Sequence, residues 1–330
     1  MRQCRICGNA ENNKSYLAKE LHLGFGDTFE YIECHQCGCL QIAEIPPNLS
    51  KYYPENYYSY KPAESLLDFS GSGLSGIKIR LILKALTNYY FRKKSMLGEW
   101  IAKKSCLAND YPLWVRQQKL DLCLHKDSKI LDVGCGKGQF LMNMRAYGFT
   151  NLQGIDPFLD ADIFYDNGVR IHKKNLEQLE EQFDFIMLNH SFEHMPDPLP
   201  TLLKIRKILK PNHYLLIRIP VSQSYQWSRY GLNWVSLDAP RHLYLHSRDS
   251  MALLAQQSGF RVAETIFDAD GFSDWASVQY EAGIPLMDPR SYYVNRSDSI
   301  FKPEEIERFA EFAGELNAKG TADYAGFYLQ

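Results

Sequence analysis

Two groups of residues in this chain have types and spacings that suit chemistry. Cys4-Arg-Ile-Cys7-Gly8 and Cys34-His-Gln-Cys37-Gly38 are C-x-x-C pairs, each followed by glycine. Doubled thiolate pairs suit tetrahedral coordination of one zinc ion, and the glycine allows the turn that aims backbone N–H groups at sulfur. Four sulfurs leave no open position, so this metal reads as structural, with His22, His35 and Cys39 as bystanders. The second group runs Lys129-Ile-Leu-Asp132-Val-Gly134-Cys135-Gly136-Lys-Gly138. Apolar residues around Asp132 read as a short buried strand, and three glycines then let the backbone come close to a polar ligand at the start of a helix.

The ligand follows from spacing. A dinucleotide fingerprint, G-x-G-x-x-G, needs its third glycine at position 139, which is Gln. This disfavours an NAD-dependent oxidoreductase. A carboxylate beside the first glycine repels a pyrophosphate and suits an α-ammonium group. The next strand, Asn151–Ile155, ends on Asp156, where an acid accepts hydrogen bonds from both ribose hydroxyls. An amino acid on the first turn and a ribose on the second strand describe S-adenosylmethionine.

These residues need strands and helices in alternation. Apolar runs predict strands over 169–172, 183–188, 214–219 and 260–267, with helices over 199–209 and 249–258, the latter closed by Gly259. Asp323–Leu329 alternates as a seventh, antiparallel strand, with 271–320 inserted before it. The predicted fold class is α/β, a doubly wound, seven-stranded and mostly parallel sheet with a small N-terminal zinc-binding domain and a helical cap. The domains fall at 1–45 (zinc-ribbon-like), 46–112 (tyrosine-rich linker and basic cap) and 113–330. A helix over 114–125 leads into the first strand. The ligand-facing positions, Gly134, Asp156, Asn175 and Asn189, fall at the carboxyl ends of strands.

The cap is the one strongly charged region. Lys78, Arg80, Lys84, Arg92, Lys93, Lys94, Lys103 and Lys104 accompany a single acid, Glu99, on one helix over 77–104. That face would meet an anionic membrane surface, a phosphorylated substrate or RNA, against the plainer reading of a solvated cap. The tyrosines of 52–60 read as linker packing more than as a stacking surface, and Gly71–Gly76 as a hinge. Net charge is −2, and the N-terminal basic residues (Arg2, Arg5, Lys14, Lys19) are matched by acids, so nothing favours nucleic acid as partner. No apolar run is long enough to span a bilayer, and no leader is evident. The expectation is a cytoplasmic chain whose cysteines stay reduced.

The loop after the fifth strand carries Asp238-Ala-Pro-Arg241-His242. His242 is the candidate general base, because neutral imidazole accepts a proton near pH 7. Arg241 would neutralise an anionic group on the substrate. Glu193-His194 reads as a structural hydrogen bond beneath the ligand.

The Asp132 to Gly138 turn with Asp156 resembles motifs I and II of class I S-adenosylmethionine-dependent methyltransferases, over roughly residues 115 to 268. Asn189-His-Ser-Phe-Glu-His-Met-Pro-Asp-Pro198 and Pro240-Arg-His-Leu-Tyr-Leu-His-Ser247, with the cysteine pairs, resemble the ubiquinone-biosynthesis-like branch, whose zinc-bearing members are associated with surface polysaccharide and other sugar biosynthesis. The resemblance implies a Rossmann-like sheet and a methyl donor held by Asp132, Gly134, Cys135, Gly136 and Asp156. It further places Asn175 and Leu176 at the adenine and Asn189 under the donor. It implies a small-molecule acceptor such as a sugar, nucleotide-sugar or phosphorylated intermediate. The rival is a zinc-ribbon rRNA base methyltransferase, which calls for a broad basic surface.

Overall fold

The apolar runs around the glycine turn form the middle of an eight-stranded sheet. The structure, a computed structural model, describes residues 3–53, 63, 74–92 and 96–330. Tyr57, Tyr58, Tyr60, Lys93, Lys94 and Gly71–Gly73 lie outside the described residues. In chain order the strands are β1 (Lys14–Lys19), β2 (Thr28–Glu33), β3 (Leu40–Ile42), β4 (Lys129–Val133), β5 (Asn151–Ile155) and β6 (Ile163–Phe164). Then come β7 (Arg170–His172), β8 (Phe183–Asn189), β9 (Leu209–Pro220), β10 (Tyr244–Leu245), β11 (Val262–Phe267) and β12 (Tyr324–Leu329). The helices are α1 (Leu74–Phe91), α2 (Met96–Lys104), α3 (Leu113–Gln117), α4 (Gln139–Ala146), α5 (Pro198–Ile208), α6 (Tyr225–Tyr230), α7 (Arg248–Gln257), α8 (Phe272–Glu281) and α9 (Pro303–Lys319).

The large sheet runs β11-β12-β9-β8-β4-β5-β7-β6. β9, β8, β4, β5 and β7 are mutually parallel, and β12 lies antiparallel between β9 and β11. This is the doubly wound sheet with its antiparallel seventh strand, extended by the two-residue edge strand β6, which pairs with β7. Successive residues feed opposite faces, as the strand period of two requires. Ile130, Phe185 and Met187 join one core with α1, α3 and α4, while Leu131, Ile186 and Leu188 join the other with α5 and α7. Chain order reverses at β4, so the crevice opens between the carboxyl ends of β4 and its neighbours.

The N-terminal strands do not stand alone. A second sheet, β1-β2-β3-β10, takes its last strand from the loop after β9, with Tyr244 opposite Gln41 and Leu245 opposite Leu40. The first 45 residues therefore share a core with the strand-tip loops.

Two local expectations fail for tertiary reasons. The helix expected over 77–104 is two, α1 and α2, and the Phe91 carbonyl at the end of α1 accepts from the Leu124 N–H (3.3 Å). The helix expected over 114–125 stops at Gln117, because the Gln118 side chain donates to the Tyr90 carbonyl and the Lys119 N–H to Glu264. No helix among the described residues is long and apolar enough to cross a membrane.

The insert between β11 and β12 braces the loop after β9. Trp275, Tyr280, Leu286 and Val235 form a small core of their own. Trp234 Nε1 donates to Asp323 Oδ2 (2.7 Å), and Ser236 Oγ lies 3.4 Å from the same oxygen. Burial lifts the Asp323 carboxyl to about 7, against hydrogen bonds from Ser273 and Trp234. A folded-state pKa above the unfolded carboxylate value favours the fold fully below about pH 4, and that contribution is lost as pH rises through about 7. Asp323→Asn should accordingly lose less melting temperature between pH 5 and pH 8 than the parent chain. An equal loss in both would mean that Asp323 titrates as an ordinary carboxylate.

Candidate active site

Glycine at the turn is dictated by sterics. Gly134, Gly136 and Gly138 all have positive φ (72°, 52° and 88°). A Cβ on Gly134 would stand 2.6 Å from Ser191 Cβ, and one on Gly138 would strike Ile171. Gly154, which the sequence did not single out, leaves room for the Cys135 sulfur, 2.5 Å from where its own Cβ would be. The turn thus packs against β5, β7 and the loop after β8.

That packing consumes the donors. The Gly134 and Cys135 N–H groups bond to the Ile155 carbonyl (2.9 and 3.2 Å), and the Gly136 N–H bonds to Asp156 Oδ2 (2.9 Å). These three N–H groups therefore close the turn on β5. Cys135 contributes neither its N–H nor its thiol, which donates to the Gly136 carbonyl (3.3 Å). Asp156 Oδ1 also accepts from the Phe158 N–H (2.9 Å), yet each carboxylate oxygen keeps acceptor capacity for a hydroxyl.

Two side chains at these strand tips have buried atoms with no partner among the described residues. They are Asp132, through Oδ1, and Asn189, through both amide atoms. Burial and then the Asp156 charge push the Asp132 carboxyl well up, opposed by the nearby Asn189 amide. Burial likewise raises Asp156, opposed by its two backbone hydrogen bonds. A ligand cation beside Asp132 would reverse that penalty, and a ligand carrying donors and acceptors would complete Asn189. These atoms and the glycine-cleared surface fit an amino-acid and nucleoside ligand. Asn175 caps the short turn after β7 and its side chain is exposed, while Leu176 is buried beside it.

The loops after β8 and β9 meet next to this crevice. Ser191 Oγ donates to the Val133 carbonyl (2.7 Å), tying the β8 loop to the glycine turn. His190, at φ 50°, accepts from Arg218, which also pairs with Asp268 (2.5 Å). The His242 ring bonds through Nδ1 to the Ser236 carbonyl (2.7 Å), and its Nε2 faces Glu193 Oε1 at 4.0 Å. Burial pulls His242 below its ordinary pKa, opposed by the Asp238 charge, so the ring is neutral at pH 7.

Arg241 does not do what its place in the sequence suggests. It is fully buried and forks Asp238 through Nε (2.9 Å) and Nη2, while Nη1 donates to the Tyr52 carbonyl (3.0 Å). Its charge is spent inside the loop, and it cannot neutralise a substrate. The structural hydrogen bond expected of Glu193-His194 falls to His194, whose Nδ1 bonds the Arg241 carbonyl (2.8 Å), whereas Glu193 is fully buried and neither oxygen has a hydrogen-bond partner among the described residues. An acid followed by histidine was visible in sequence, but the lack of any partner was not.

The cysteines fit one ion. Zinc–sulfur bonds of about 2.3 Å put tetrahedral sulfurs about 3.8 Å apart. Cys4 and Cys37 Sγ are 3.7 Å apart, and Cys7 and Cys34 Sγ 3.4 Å. The Ile6 and Cys37 N–H groups point at Cys4 and Cys34 sulfur, and Gly8 and Gly38 take the left-handed turns. No disulfide competes.

With this geometry, residues 109–265 match the methyltransferase-domain family. These residues carry a methyltransferase domain. The chain is 29% identical over 99 residues to a ubiquinone biosynthesis O-methyltransferase of Rickettsia bellii, covering 28% of this chain and 41% of that protein. It is 36% identical over 101 residues to EEF1A lysine methyltransferase 2 of Homo sapiens, covering 30% and 39%. Among solved structures, mycolic acid cyclopropane synthase CmaA1 is similar at 18% identity and a TM-score of 0.41, over 77% of this chain and 94% of that one. The chain spans about two fifths of the length of the curated relatives it matches.

Two tests follow for the methyltransferase domain and its knuckle. Asp132→Asn keeps shape and drops charge, and should weaken S-adenosylhomocysteine in calorimetric titration by at least about tenfold, roughly 1.4 kcal/mol. Asp156→Ala should abolish that binding, and parent-like affinity in either variant would remove that residue from the donor site. Separately, a strong chelator or Cys37→Ser should lower the melting temperature by several degrees, since metal affinity becomes folding free energy. An unmoved transition would show that no ion holds the knuckle.

Proposed function

We propose that this chain transfers a methyl group from S-adenosylmethionine to a hydroxyl of a small-molecule acceptor, a sugar or nucleotide-sugar being the class we favour. The observation that carries this is the pair of unpartnered buried side chains, Asp132 and Asn189, at the switch point of a methyltransferase sheet. The donor supplies an electrophilic methyl on a sulfonium, chemistry that needs alignment more than covalent help. Asp132 would hold the ammonium, Asp156 the ribose hydroxyls, and Asn175 and Leu176 the adenine edge and face. Asn189 would lie under the donor, with Gly134, Gly136 and Gly138 giving it clearance.

The acceptor's proton goes to the cluster around His242. That ring is neutral, its Nδ1–H is fixed on the Ser236 carbonyl, and Nε2 keeps its lone pair, with the Asp238 and Glu193 carboxylates 3.7 and 4.0 Å away. An oxygen acceptor agrees with the O-methyltransferase relatives and with a base next to the donor. Because Arg241 is committed to Asp238, a neutral hydroxyl suits the site better than a phosphorylated group. A zinc ion at Cys4, Cys7, Cys34 and Cys37 is structural in this reading.

RNA stays in the test because a tRNA U34 carboxymethyltransferase of Aliarcobacter butzleri is 29% identical over 105 residues, covering 28% of this chain and 34% of that protein. Labelled methyl donor incubated with nucleotide-sugars, lipid-linked sugars, small phenols and RNA should label a hydroxyl compound and not RNA. With that acceptor, His242→Ala should lower kcat by about 10²-fold or more, the usual scale of general-base loss, and leave donor affinity intact. Label in RNA alone, or unchanged turnover, would overturn the respective assignment.

A further inference from the structure

Beside the glycine turn, the loops after β8 and before β10 bring three ligand-type side chains to one place. Glu193, His194 and His242 each offer a ligand atom, and the three atoms lie within 4.8 Å of one another. The first observation is the orphaned carboxylate. Glu193 is fully buried, and both its oxygens lack a hydrogen-bond partner among the described residues. His190 Nδ1 is nearest at 3.6 Å, beyond hydrogen-bond range, with Arg218 on the other ring nitrogen.

The second observation is how the rings are held. His194 Nδ1 lies 2.8 Å from the Arg241 carbonyl, and His242 Nδ1 lies 2.7 Å from the Ser236 carbonyl. A carbonyl only accepts, so each Nδ1 carries the proton and each Nε2 keeps a lone pair. The Tyr53 hydroxyl, 3.3 Å from His194 Nδ1, then shares that N–H as a second acceptor. A backbone carbonyl on the distal N–H is how proteins orient metal-bound imidazoles. Three residues hold the two rings, and none of them bonds the Glu193 carboxylate.

We propose that Glu193, His194 and His242 bind a divalent cation of the zinc, cobalt(II) or iron(II) class, at a site separate from the cysteine knuckle. Two imidazoles and one carboxylate are the donor set of such ions, and they leave coordination positions open. Bonds of about 2.0–2.2 Å put adjacent ligand atoms roughly 3 to 3.5 Å apart, so the three must draw in by about an ångström. Glu193 can turn to do so without breaking a hydrogen bond.

The cation's role rests on the methyl-transfer reading, although its binding does not. An open position takes the acceptor's hydroxyl oxygen and lowers its pKa. With the His242 Nε2 lone pair on the cation, water takes the proton in place of that ring: the O–H bond breaks and its electron pair stays on oxygen. The neighbouring crevice then receives a nucleophile already ionised at neutral pH.

The test counts ions on the full-length protein. The chain is equilibrated with micromolar zinc or cobalt(II), desalted and assayed for bound metal, and S-adenosylhomocysteine is titrated into the same samples. Two ions per chain are expected, falling to one in Glu193→Gln and in His242→Ala with far-ultraviolet dichroism unchanged. The cobalt lost from those variants should carry weak d–d absorption and none of the thiolate charge-transfer band that the knuckle gives. One ion in the parent chain, or two surviving both substitutions, overturns the site. S-adenosylhomocysteine binding with a single ion would overturn the cation and leave His242 as proton acceptor. Two ions without that binding would keep the site and overturn its part in methyl transfer.

Discussion

The pairing of β3 with β10 is the constraint on which the rest depends. β10 is only two residues long, yet it joins the cysteine knuckle to the loop that carries His242. The Ile42 N–H bonds to the Leu243 carbonyl (3.0 Å), the Ser222 hydroxyl to the Gly38 carbonyl (2.7 Å) and the Ser247 hydroxyl to the Cys37 carbonyl. Arg5 reaches the Tyr244 hydroxyl at 2.8 Å. A segment that short has little helix or strand propensity of its own to fix it. Its shape is borrowed from the knuckle, which has too small a core to fold without help. Each part supplies the order the other lacks.

The same loop shows why a buried charge is not automatically a binding group. Arg241 and Asp238 form a fork with no exposed guanidinium, and His22 and His242 stand by the same carboxylate at 3.5 and 3.7 Å. Taking these charges out of water costs several kcal/mol, and the fork with its backbone hydrogen bonds offsets that cost. The result is a rigid mount for His242 rather than a hand held out to substrate. Arg218 with Asp268 does the same for His190. Beside these forks, one oxygen of Asp132, both of Glu193 and the Asn189 amide atoms lack hydrogen-bond partners among the described residues, as do single oxygens of Asp268 and Asp323.

A parallel division of labour runs through the glycine turn. Its N–H groups hold β4 to β5 and to Asp156, and its glycines remove side chains that would fill the crevice. In the proposed reading, recognition of the donor's polar ends falls to side chains at the ends of neighbouring strands. The domain would then bind by clearance at the turn and by charge around it, whereas a helix N-terminus alone would act through N–H dipoles.

By itself the sequence determined the sheet, the crevice and the knuckle. Strand runs such as 183–188, the glycine turn, Asp132, Asp156 and the doubled C-x-x-C pairs are local patterns, because steric and periodic requirements act between near neighbours. The extra edge strand at Ile163–Phe164, the break between α1 and α2, and the end of α3 at Gln117 depend on contacts with residues far along the chain. So do the fates of individual polar groups. Arg241 could be read as a substrate anchor until Asp238 and Tyr52 were seen to occupy it, and of Glu193-His194 it is His194 that makes the structural hydrogen bond, while Glu193 makes none among the described residues. A side chain's type is written in one position, but whether it has a partner is decided by what the fold carries to it from elsewhere.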